Sequence, residues 1–305
     1  MLTWVVGAGG LLGGAVSRAS ARTFIGSPVP WMVPVEANNV LESDLSRFVA
    51  QAGGSDWLLV WAAGGGSVAS NRSDLRAEAS IVEGFLAAVR RRHPAGNGAF
   101  FLASSAGGVY AGSSHPPFDE STAPRPLSAY GEAKLAQEEL ATRILTGSVP
   151  VLIGRLSNLY GPGQNLAKPQ GLVSHLCVAA ATRRALNVFV PMETLRDYLY
   201  VEDAAVMIVS WATAAVRSRP QLPITRNLAS ERPTPVAGLV RVVQHVARRP
   251  IPIALGASLT SRDQVRDLRV VSRDSADRVR TPITPLPVGV KRVYDHTLRV
   301  IAGHP

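Results

Sequence analysis

The sequence predicts an α/β fold in which helices cover both faces of a doubly wound, parallel sheet. Short apolar runs alternate with amphipathic stretches through the first half of the chain. Strands buried on both faces of a parallel sheet have this continuous apolar composition, and amphipathic stretches are typical of the helices that cover them. A glycine cluster, "GAGGLLGG", directly follows the first apolar run, as in a tight turn from a strand into a helix.

The individual elements follow from this alternation in chain order. Apolar, β-rich runs predict strands, the later ones with their following loops, at 2–6, 29–35, 56–64, 98–112 and 149–163. Prolines within 29–35 count against that strand, because proline cannot donate to a sheet ladder. Amphipathic stretches predict helices, the second of them opened by a Ser or Asp cap, at 11–23, 43–53, 73–93 and 128–145.

The pattern changes beyond about residue 165, where the alternation becomes less regular. The sequence therefore predicts a larger N-terminal domain and a smaller C-terminal lobe. The N-terminal domain covers 1–165 with a return segment near 198–225, and the lobe covers 166–197 and 226–305.

The composition limits the class of protein. With 305 residues, 46% hydrophobic and 18% charged, the chain can bury a substantial core. Its single cysteine, Cys177, excludes an internal disulfide framework and indicates a reducing, cytoplasmic location. No apolar run is long enough to span a bilayer, so no membrane partner is expected. The net charge of +10 comes from scattered arginines rather than a basic run interleaved with aromatics, so no nucleic-acid partner is expected.

Three glycines carry the first functional signal. Gly7, Gly10 and Gly13 form the pattern G-x-x-G-x-x-G between the first strand and the first helix. Glycine permits the tight turn, the close approach of backbone to a pyrophosphate, and close packing of helix on strand. The free N–H groups at the helix start then favour phosphates. A plain turn is the alternative, and the flanking strand and helix favour a dinucleotide site in a Rossmann domain.

A second signal lies in "SAYGEAK". Tyr130 and Lys134 are four residues apart on a predicted helix, so their side chains share one face. An ammonium beside a phenol lowers the pKa of the phenol from about 10, which makes a base usable near neutral pH. Ser104 and Ser105 end a predicted strand upstream, at the edge of a parallel sheet that lines the ligand crevice. The alternatives are an incidental aromatic–lysine pair and serines that only form a turn.

Six motifs together resemble a known family. They are G-x-x-G-x-x-G, "WAAGG", "SSAGGVY", "YGEAK", "RLSNLYGPGQ" and "LRDYLYVEDAA". In their order and spacing the chain resembles the extended short-chain dehydrogenase/reductases, and within them the NAD-dependent nucleotide-sugar epimerase/dehydratase family, from residue 2 to about residue 210. The resemblance implies NAD as cofactor, with NADP not excluded. It also implies a nucleotide-diphosphate sugar as substrate and a homodimer paired through two of the predicted helices.

The resemblance implies a role for each matching residue. Tyr130 is the base, and Lys134 binds the nicotinamide ribose and tunes the tyrosine. The cofactor is implied to contact Gly7, Gly10, Leu11, Leu12, Gly13, Asp44, Leu45, Ala62, Ala63, Gly64, Tyr130 and Lys134. Within this set, Asp44 and Leu45 resemble an acidic–apolar pair that touches adenine. The substrate is implied to contact Asn158 and Arg196 through its phosphates, Phe189 through its nucleotide base, and Arg266 as a second phosphate contact.

The chain departs from the family pattern at the catalytic hydroxyl. Strict counting back from Val109 places Ala106, which cannot donate, where the hydroxyl is expected. A one-residue bulge would make Ser105 the catalytic serine, with Ser104 as the second candidate. The Asp-Glu pair of the family's dehydratases is replaced by glycines and alanine here, which counts against a 4,6-dehydratase.

A further departure concerns the second predicted strand. No clear acid ends it, where an NAD ribose usually finds one, and Glu36 is the nearest candidate. No arginine follows that strand in the sequence to bind a 2′-phosphate either. The resemblance therefore makes NAD the expected cofactor by default.

The predicted reaction is epimerisation of a nucleotide-activated sugar, most simply at C4, through a transient keto sugar. One rival is an NADPH-dependent 4-keto-sugar reductase. Another is a non-catalytic nucleotide- or RNA-binding relative, against which the presence of Tyr130 and Lys134 counts. His175 and Cys177 lie two apart in a predicted helical stretch and so face different sides, which favours packing over an acid–base pair. No metal site is predicted, because no further ligands occur at metal spacing.

Overall fold

A computed structural model describes residues 1–64, 72–167, 170–256, 265–273 and 282–303. Strands and helices alternate from residue 2 to residue 105, and the order is less regular after that. The strands are β1 (Leu2–Val6), β2 (Thr23–Phe24), β3 (Trp57–Trp61), β4 (Gly98–Ser105), β5 (Val151–Leu156), β6 (Asn158–Tyr160), β7 (Leu186–Val188), β8 (Leu195–Tyr200), β9 (Ile224–Leu228), β10 (Pro233–Pro235), β11 (Ile253–Leu255) and β12 (Asp267–Leu268). The helices are α1 (Leu11–Ala19), α2 (Pro34–Ala52), α3 (Arg72–Arg91), α4 (Ala106–Val109), α5 (Ala129–Leu145), α6 (Leu172–Thr182), α7 (Val201–Ser218), α8 (Val236–Ala247) and α9 (Leu286–Ile301).

The central sheet has six strands in the order β2-β1-β3-β4-β5-β9, and every neighbouring pair is parallel. The predicted doubly wound fold is thereby confirmed. The chain passes from β1 to β2 on one side and then continues with β3 on the other side of β1. In an open parallel sheet, ligands bind at such a reversal, outside the carboxyl ends of the strands. The fold therefore places a ligand crevice where β1 and β3 end.

Each face of the central sheet is covered by its own helices. α2, α3 and α5 pack on one face, and α1 and α7 pack on the other. In β3, Trp57, Leu59 and Trp61 face the first layer, whereas Leu58 and Val60 face the second. Successive side chains of a strand point to opposite faces, so a strand buried on both needs an unbroken apolar run. This requirement explains the composition of "WLLVW".

The region after β2 corrects the prediction. β2 lies upstream of 29–35, and the following helix begins at Pro34 rather than at 43. The prolines prevent a sheet ladder over 29–35. Pro34 occupies the first helical turn, where its fixed φ and missing N–H are tolerated. Ala37 and Leu41 are buried at helical spacing, so the apolar stripe of α2 extends upstream of the predicted start.

The turn after β4 is held against the start of α5. Ser128 caps α5, and its Oγ accepts a hydrogen bond from the Gly131 N–H at 3.2 Å. β4 ends at Ser105, and the four-residue helix α4 follows at once. Gly108 of α4 and Gly131 of α5 pack directly on each other, with a Cβ on Gly108 only 3.3 Å from the Gly131 Cα. The start of α5 is thus fixed beside the carboxyl end of β4.

The remaining strands form two small sheets of their own. β8 pairs with β6, β10 and β12, and β7 pairs with β11. α6, α8 and α9 share a separate apolar core with these strands. β9 joins the central sheet, and α7 packs on it with α1. The division into an N-terminal domain and a lobe at the residues given above stays a prediction. None of the helices in the described ranges is both long and apolar enough to cross a membrane.

Candidate active site

The turn between β1 and α1 requires glycine at two positions, because neither has room for a side chain. Gly7 has a φ of +96°, in the left-handed region. A Cβ on Gly7 would lie 2.6 Å from the Ala63 nitrogen, and a Cβ on Gly13 would lie 2.1 Å from the Gly7 carbonyl oxygen. Any larger residue at these two positions would force α1 and β3 away from the turn.

The start of α1 offers unpaired donors. Gly10 is the N-cap of α1, and as a glycine it provides no side-chain cap for the first N–H groups of the helix. The Gly10 N–H donates to the Gly7 carbonyl oxygen at 2.9 Å and closes the turn. Leu11 and Leu12 begin α1 and pack on the core of the sheet. Helix N–H groups at such a start attract anions, so the residues present fit the pyrophosphate of a dinucleotide.

The end of β3 connects this turn to α5. Backbone atoms of Ala62 and Ala63 are the closest neighbours of a Cβ on Gly7. One residue later, a Cβ on Gly64 would lie 3.6 Å from the Lys134 Nζ. The structure therefore brings the glycine turn, the end of β3 and Lys134 to one crevice at the reversal of strand order.

Tyr130 and Lys134 share one face of α5, as their spacing predicts. The Lys134 Nζ lies 5.9 Å from the centroid of the Tyr130 ring. It donates to the Gln137 Oε1 at 3.0 Å and to the Ala103 carbonyl oxygen at 3.5 Å. The Tyr130 ring borders α4, because a Cβ on Gly108 would lie 3.2 Å from its Cε1. A phenol between an ammonium and the turn after β4 has the arrangement of a general base.

The two serines at the end of β4 make different contacts. Ser104 is buried and donates to the Glu138 Oε1 at 2.5 Å. Ser105 caps α4, and its Oγ accepts from the Gly108 N–H at 3.1 Å. A hydroxyl that accepts in this way still carries its own proton to donate. Ala106 is fully buried and offers no hydroxyl, so the contacts favour Ser105 as the donor to a substrate.

A buried charged network behind Ser104 has no counterpart among the predicted residues. Glu138 accepts from the Arg155 Nε at 3.0 Å and from its Nη2 at 2.6 Å. The Arg155 Nη1 donates to the Tyr110 Oη at 2.8 Å, and burial raises the pKa of Tyr110 above its usual value. Glu138 follows Lys134 by four residues, so the helical spacing that linked Tyr130 and the lysine also pointed to this carboxylate.

The two arginines predicted to bind the substrate phosphates lie on paired strands or directly beside them. Arg196 is on β8, and Arg266 directly precedes β12, which pairs with β8. The Arg196 Nη1 donates to the carbonyl oxygens of Val265 at 2.7 Å and Leu195 at 2.9 Å. Burial lowers the pKa of Arg196, although a guanidinium stays charged near neutral pH. Arg266 is exposed, and its carbonyl oxygen accepts from the Leu195 N–H at 2.8 Å.

Asn158 and Phe189 lie in different small sheets. The Asn158 side chain, on β6, donates to the carbonyl oxygen of Asp197 at 3.0 Å, one residue after Arg196 on β8. Phe189 directly follows β7, and its ring is the nearest neighbour of a Cβ on Gly256. Phe189 is 45% exposed, which leaves its ring available to a ligand. The structure thus places Asn158 on β6, beside Arg196 of the neighbouring strand β8. Phe189 lies at the end of β7, in the sheet that β7 forms with β11.

Asp44 and Leu45 lie in the middle of α2, so the predicted cap at 43–44 is wrong. The helix begins at Pro34, upstream of both. Leu45 is buried in the core between α2 and the sheet. The Asp44 carboxylate accepts from the Ser27 N–H at 2.6 Å and from the Arg47 Nη1 at 2.7 Å. Contact of this pair with adenine stays a prediction.

The end of β2 differs from the expectation that no arginine lies there. The Arg47 Nη1 reaches the Ser27 Oγ at 3.3 Å, and its guanidinium lies 5.3 Å from the Phe24 ring centroid. Arg47 follows Ser27 by 20 residues in the chain, so α2 rather than the strand supplies it. Residues 25–33 contain no acid, and Glu36 is exposed in the first turn of α2.

A family model places this arrangement among known proteins. The model of the NAD dependent epimerase/dehydratase family matches residues 4–222. The chain belongs to this family. Its cofactor is accordingly NAD, and the turn at the start of α1 has the form needed to hold it.

The relatives of this epimerase/dehydratase chain match it over different lengths. It is similar to the dTDP-L-rhamnose 4-epimerase of Burkholderia thailandensis, with 31% identity over 138 residues, 45% of this chain and 37% of that protein. The chain therefore spans well under half of that curated relative's length.

Solved structures extend the similarity over nearly the whole chain. One is an NAD-dependent NDP-hexosamine 5,6-dehydratase involved in tunicamycin biosynthesis, with a TM-score of 0.75, 23% identity and 97% of each chain covered. Another is the UDP-glucose 4-epimerase of Thermotoga maritima, with UDP-glucose, with a TM-score of 0.78, 18% identity and 99% and 100% of the two chains covered. At these identities the structures confirm the Rossmann fold.

Cys177 and His175 lie on different faces of α6 in this family member. Cys177 is fully buried, and burial raises the pKa of its thiol to about 12. His175 is only partly buried. These features favour a packing role for the cysteine. Within the described ranges, no group of three or more His, Cys, Asp or Glu side chains is arranged to hold a metal ion.

The helices expected to pair two copies of the epimerase/dehydratase chain have polar outer faces. α3 and α5 are described throughout, and neither carries an exposed large hydrophobic residue. Their outer side chains form ion pairs between the helices, Arg143 with Glu83 at 3.1 Å and Arg72 with Glu132 at 3.6 Å. Pairing of a homodimer through these helices stays a prediction.

Proposed function

We propose that this chain epimerises a nucleotide-activated sugar, most simply at C4, with Tyr130 as the base. The observation that carries the proposal is the position of Tyr130. Its ring lies between the ammonium of Lys134 and the turn capped by Ser105, at the crevice that the glycine turn also lines. Base, cation and hydroxyl are the groups that reversible oxidation of an alcohol requires.

The chain's residues have separate tasks in this reaction. NAD, when bound, supplies the reversible acceptance of hydride from the sugar carbon. Tyr130 takes the proton of the sugar hydroxyl. It returns the proton after the keto sugar has rotated in the site and presents its opposite face to the cofactor. Ser105 donates to the sugar oxygen, and Lys134 stabilises the phenolate. Arg196 and Asn158 hold the diphosphate, since a guanidinium fork matches phosphate oxygens.

A dehydratase is less well supported by the same turn. Loss of water from the sugar needs an acid near the departing hydroxyl. α4, which follows Ser105 directly, has the sequence "AGGV" and carries no carboxylate. The carboxylate closest to Ser104 in the buried network, that of Glu138, is paired with Arg155.

Product analysis by NMR tests the proposal. Purified protein is incubated with UDP-, GDP- and dTDP-sugars and trace NAD. We expect one sugar to be converted to its C4 epimer without net NADH, and Tyr130→Phe to abolish turnover while NAD affinity changes little. Substantial turnover by Tyr130→Phe would remove this tyrosine from its role. Glu132→Gln, an exposed change on the same turn of α5, is the control and should keep full activity.

An NADPH-dependent 4-keto-sugar reductase is the second candidate, and one observation favours it. Arg47 reaches Ser27 just after β2, where it is also paired with Asp44 of its own helix, and residues 25–33 themselves contain no acid. An arginine there suits a 2′-phosphate. For a reductase, NADP should bind more tightly than NAD, Arg47→Ala should weaken NADP alone, and a 4-keto sugar should consume NADPH stoichiometrically. Equal loss of both affinities in Arg47→Ala would count against this candidate.

A further inference from the structure

An acidic side chain from α3 reaches the lysine of the crevice. The Glu78 Oε1 lies 3.9 Å from the Lys134 Nζ and accepts from the Gln137 Nε2 at 2.9 Å. Gln137 in turn accepts from the Lys134 Nζ at 3.0 Å through its Oε1. Glu78 is thus linked to Lys134 both directly and through one amide. A Cβ on Gly64 would lie 3.1 Å from the Glu78 Oε1, so the carboxylate also borders the end of β3.

Both charged groups are largely removed from solvent. The side chains of Lys134 and Glu78 are 9% and 15% exposed. A buried ammonium without a counter-charge tends to lose its proton, because burial disfavours the charged form. A neutral amine could not favour the phenolate of Tyr130. A carboxylate at this distance offsets the cost of burial and keeps the ammonium charged.

Two other carboxylates of α5 are already paired, and a third, Glu139, is exposed to solvent. Glu138, one turn beyond Lys134, is held by Arg155 on β5. Glu132, two residues before Lys134 and exposed, pairs with Arg72 of α3. β4 contributes only the Ala103 carbonyl oxygen to the ammonium. Residues 65–71, between β3 and α3, contain no titratable side chain.

We propose that Glu78 is a positioning residue for Lys134, which it keeps charged and directed at the cofactor crevice beside Tyr130. The proposal rests on the function proposed above, in which this lysine stabilises the tyrosine phenolate. Glu78 acts through the lysine and has no contact with the substrate in this role. The acid was not singled out by the sequence, because it comes from a helix 56 residues earlier in the chain than its target.

Lysine NMR tests the proposal directly, because the chain has only three lysines, Lys134, Lys168 and Lys291. Protein labelled with ¹³C at the lysine ε-carbons is titrated with pH, and the Lys134 signal is assigned by its loss in Lys134→Arg. Glu78→Gln should move the midpoint of the Lys134 titration to lower pH, because it removes the negative charge beside the ammonium. Glu78→Ala, measured in parallel, tests the same loss of charge in a different packing.

Two matched variants distinguish loss of the Glu78 charge from a general disturbance of the contact between α3 and α5. Glu83→Gln removes a carboxylate that joins the same two helices, but at Arg143, and should leave the Lys134 titration unchanged. Glu78→Asp keeps the charge and should leave the midpoint of the Lys134 titration close to that of wild type, since the Coulomb attraction is largely retained. An unchanged Lys134 pKa in both Glu78→Gln and Glu78→Ala would overturn the proposal. So would an equal fall in Glu78→Asp.

The same variants link the pair to catalysis. Because the alkaline limb of kcat/KM would follow loss of the ammonium proton, Glu78→Gln should move that limb to lower pH while Glu83→Gln should not. If the lysine titration shifts as expected but Tyr130→Phe retains turnover, the proposed function fails and the coupling of Glu78 to Lys134 stands. If the titration does not shift, the inference about Glu78 fails whatever the reaction.

Discussion

Two regions of the molecule are built in different ways. One is the glycine turn, called the cofactor side below, and the other is the sheet around β8, called the substrate side because it is proposed to bind the sugar diphosphate. On the cofactor side, small residues leave room and backbone atoms set the spacing, as at Gly7 and Gly13. On the substrate side, long polar side chains such as those of Arg196 and Asn158 bond to main-chain carbonyl oxygens of other segments. The first arrangement tolerates no added atom. The second can exchange a main-chain partner for a ligand oxygen, so its substitutions should weaken binding by degrees.

The strongest test of the cofactor side is Gly13→Ala. The added Cβ would meet the Gly7 carbonyl oxygen at 2.1 Å, so α1 must shift away from β1. We expect NAD binding to be lost and the free energy of unfolding to fall by about 1–3 kcal/mol, the usual cost of overpacking. Calorimetric titration with NAD and urea unfolding measure the two effects.

Gly9→Ala is the matched control, because no atom of the described residues lies within 4 Å of a Cβ at that position of the same turn. It should bind NAD as wild type does. If Gly13→Ala bound NAD with wild-type affinity, backbone spacing in the glycine turn would not control NAD binding, and the contrast between the two regions would be wrong.

The serines of β4 give the next largest effect. Ser105→Ala should lower kcat by roughly tenfold to a thousandfold, the scale of losing one positioned donor. It should also lower the free energy of unfolding by about 1 kcal/mol, because α4 loses its cap. Ser104→Ala should leave kcat near wild type and lower the free energy of unfolding by about 1–3 kcal/mol, because Glu138 loses a buried donor. The opposite pattern would exchange the roles of the two serines.

Local patterns made much of the cofactor side predictable. The glycine turn needs only seven consecutive residues, and the strand and helix around it follow from composition. Tyr130 and Lys134 are one helical turn apart, so α5 alone brings them together. The catalytic use of these residues was expected from the same short motifs, and it still awaits the experiments above.

Contacts between distant segments were not predictable in this way. Arg155 meets Tyr110 across 45 residues, and Arg196 meets Val265 across 69. Arg47, on α2, reaches Ser27 after β2 across 20 residues. Such pairings depend on how helices lie on the sheet, which hydrophobic periodicity does not specify.

The substrate side should respond more moderately. Arg196→Ala removes a charge-assisted contact to phosphate, so we expect KM for the nucleotide sugar to rise by about tenfold to a hundredfold with NAD affinity unchanged. Arg269→Ala is the matched control: Arg269 directly follows β12, which pairs with β8, but its guanidinium is paired with Asp267 at 2.8 Å, so this change should alter KM little. Steady-state kinetics on the sugar identified by NMR provides the measurement. Equal effects of the two substitutions would mean that general positive charge, rather than the position of Arg196, holds the diphosphate.

Cys177 should give the smallest effect, and it tests whether the substrate side also contributes acid–base chemistry. Burial raises the pKa of this thiol to about 12, so the reactive thiolate is scarce at pH 8. We expect a thiol reagent to react slowly with the native protein and quickly once it is unfolded. Cys177→Ala should keep kcat within about twofold and lower the free energy of unfolding by roughly 1 kcal/mol, the cost of a small cavity. Loss of turnover in a folded Cys177→Ala variant would return the Cys177–His175 pair to the catalytic candidates, because packing alone cannot account for such a loss.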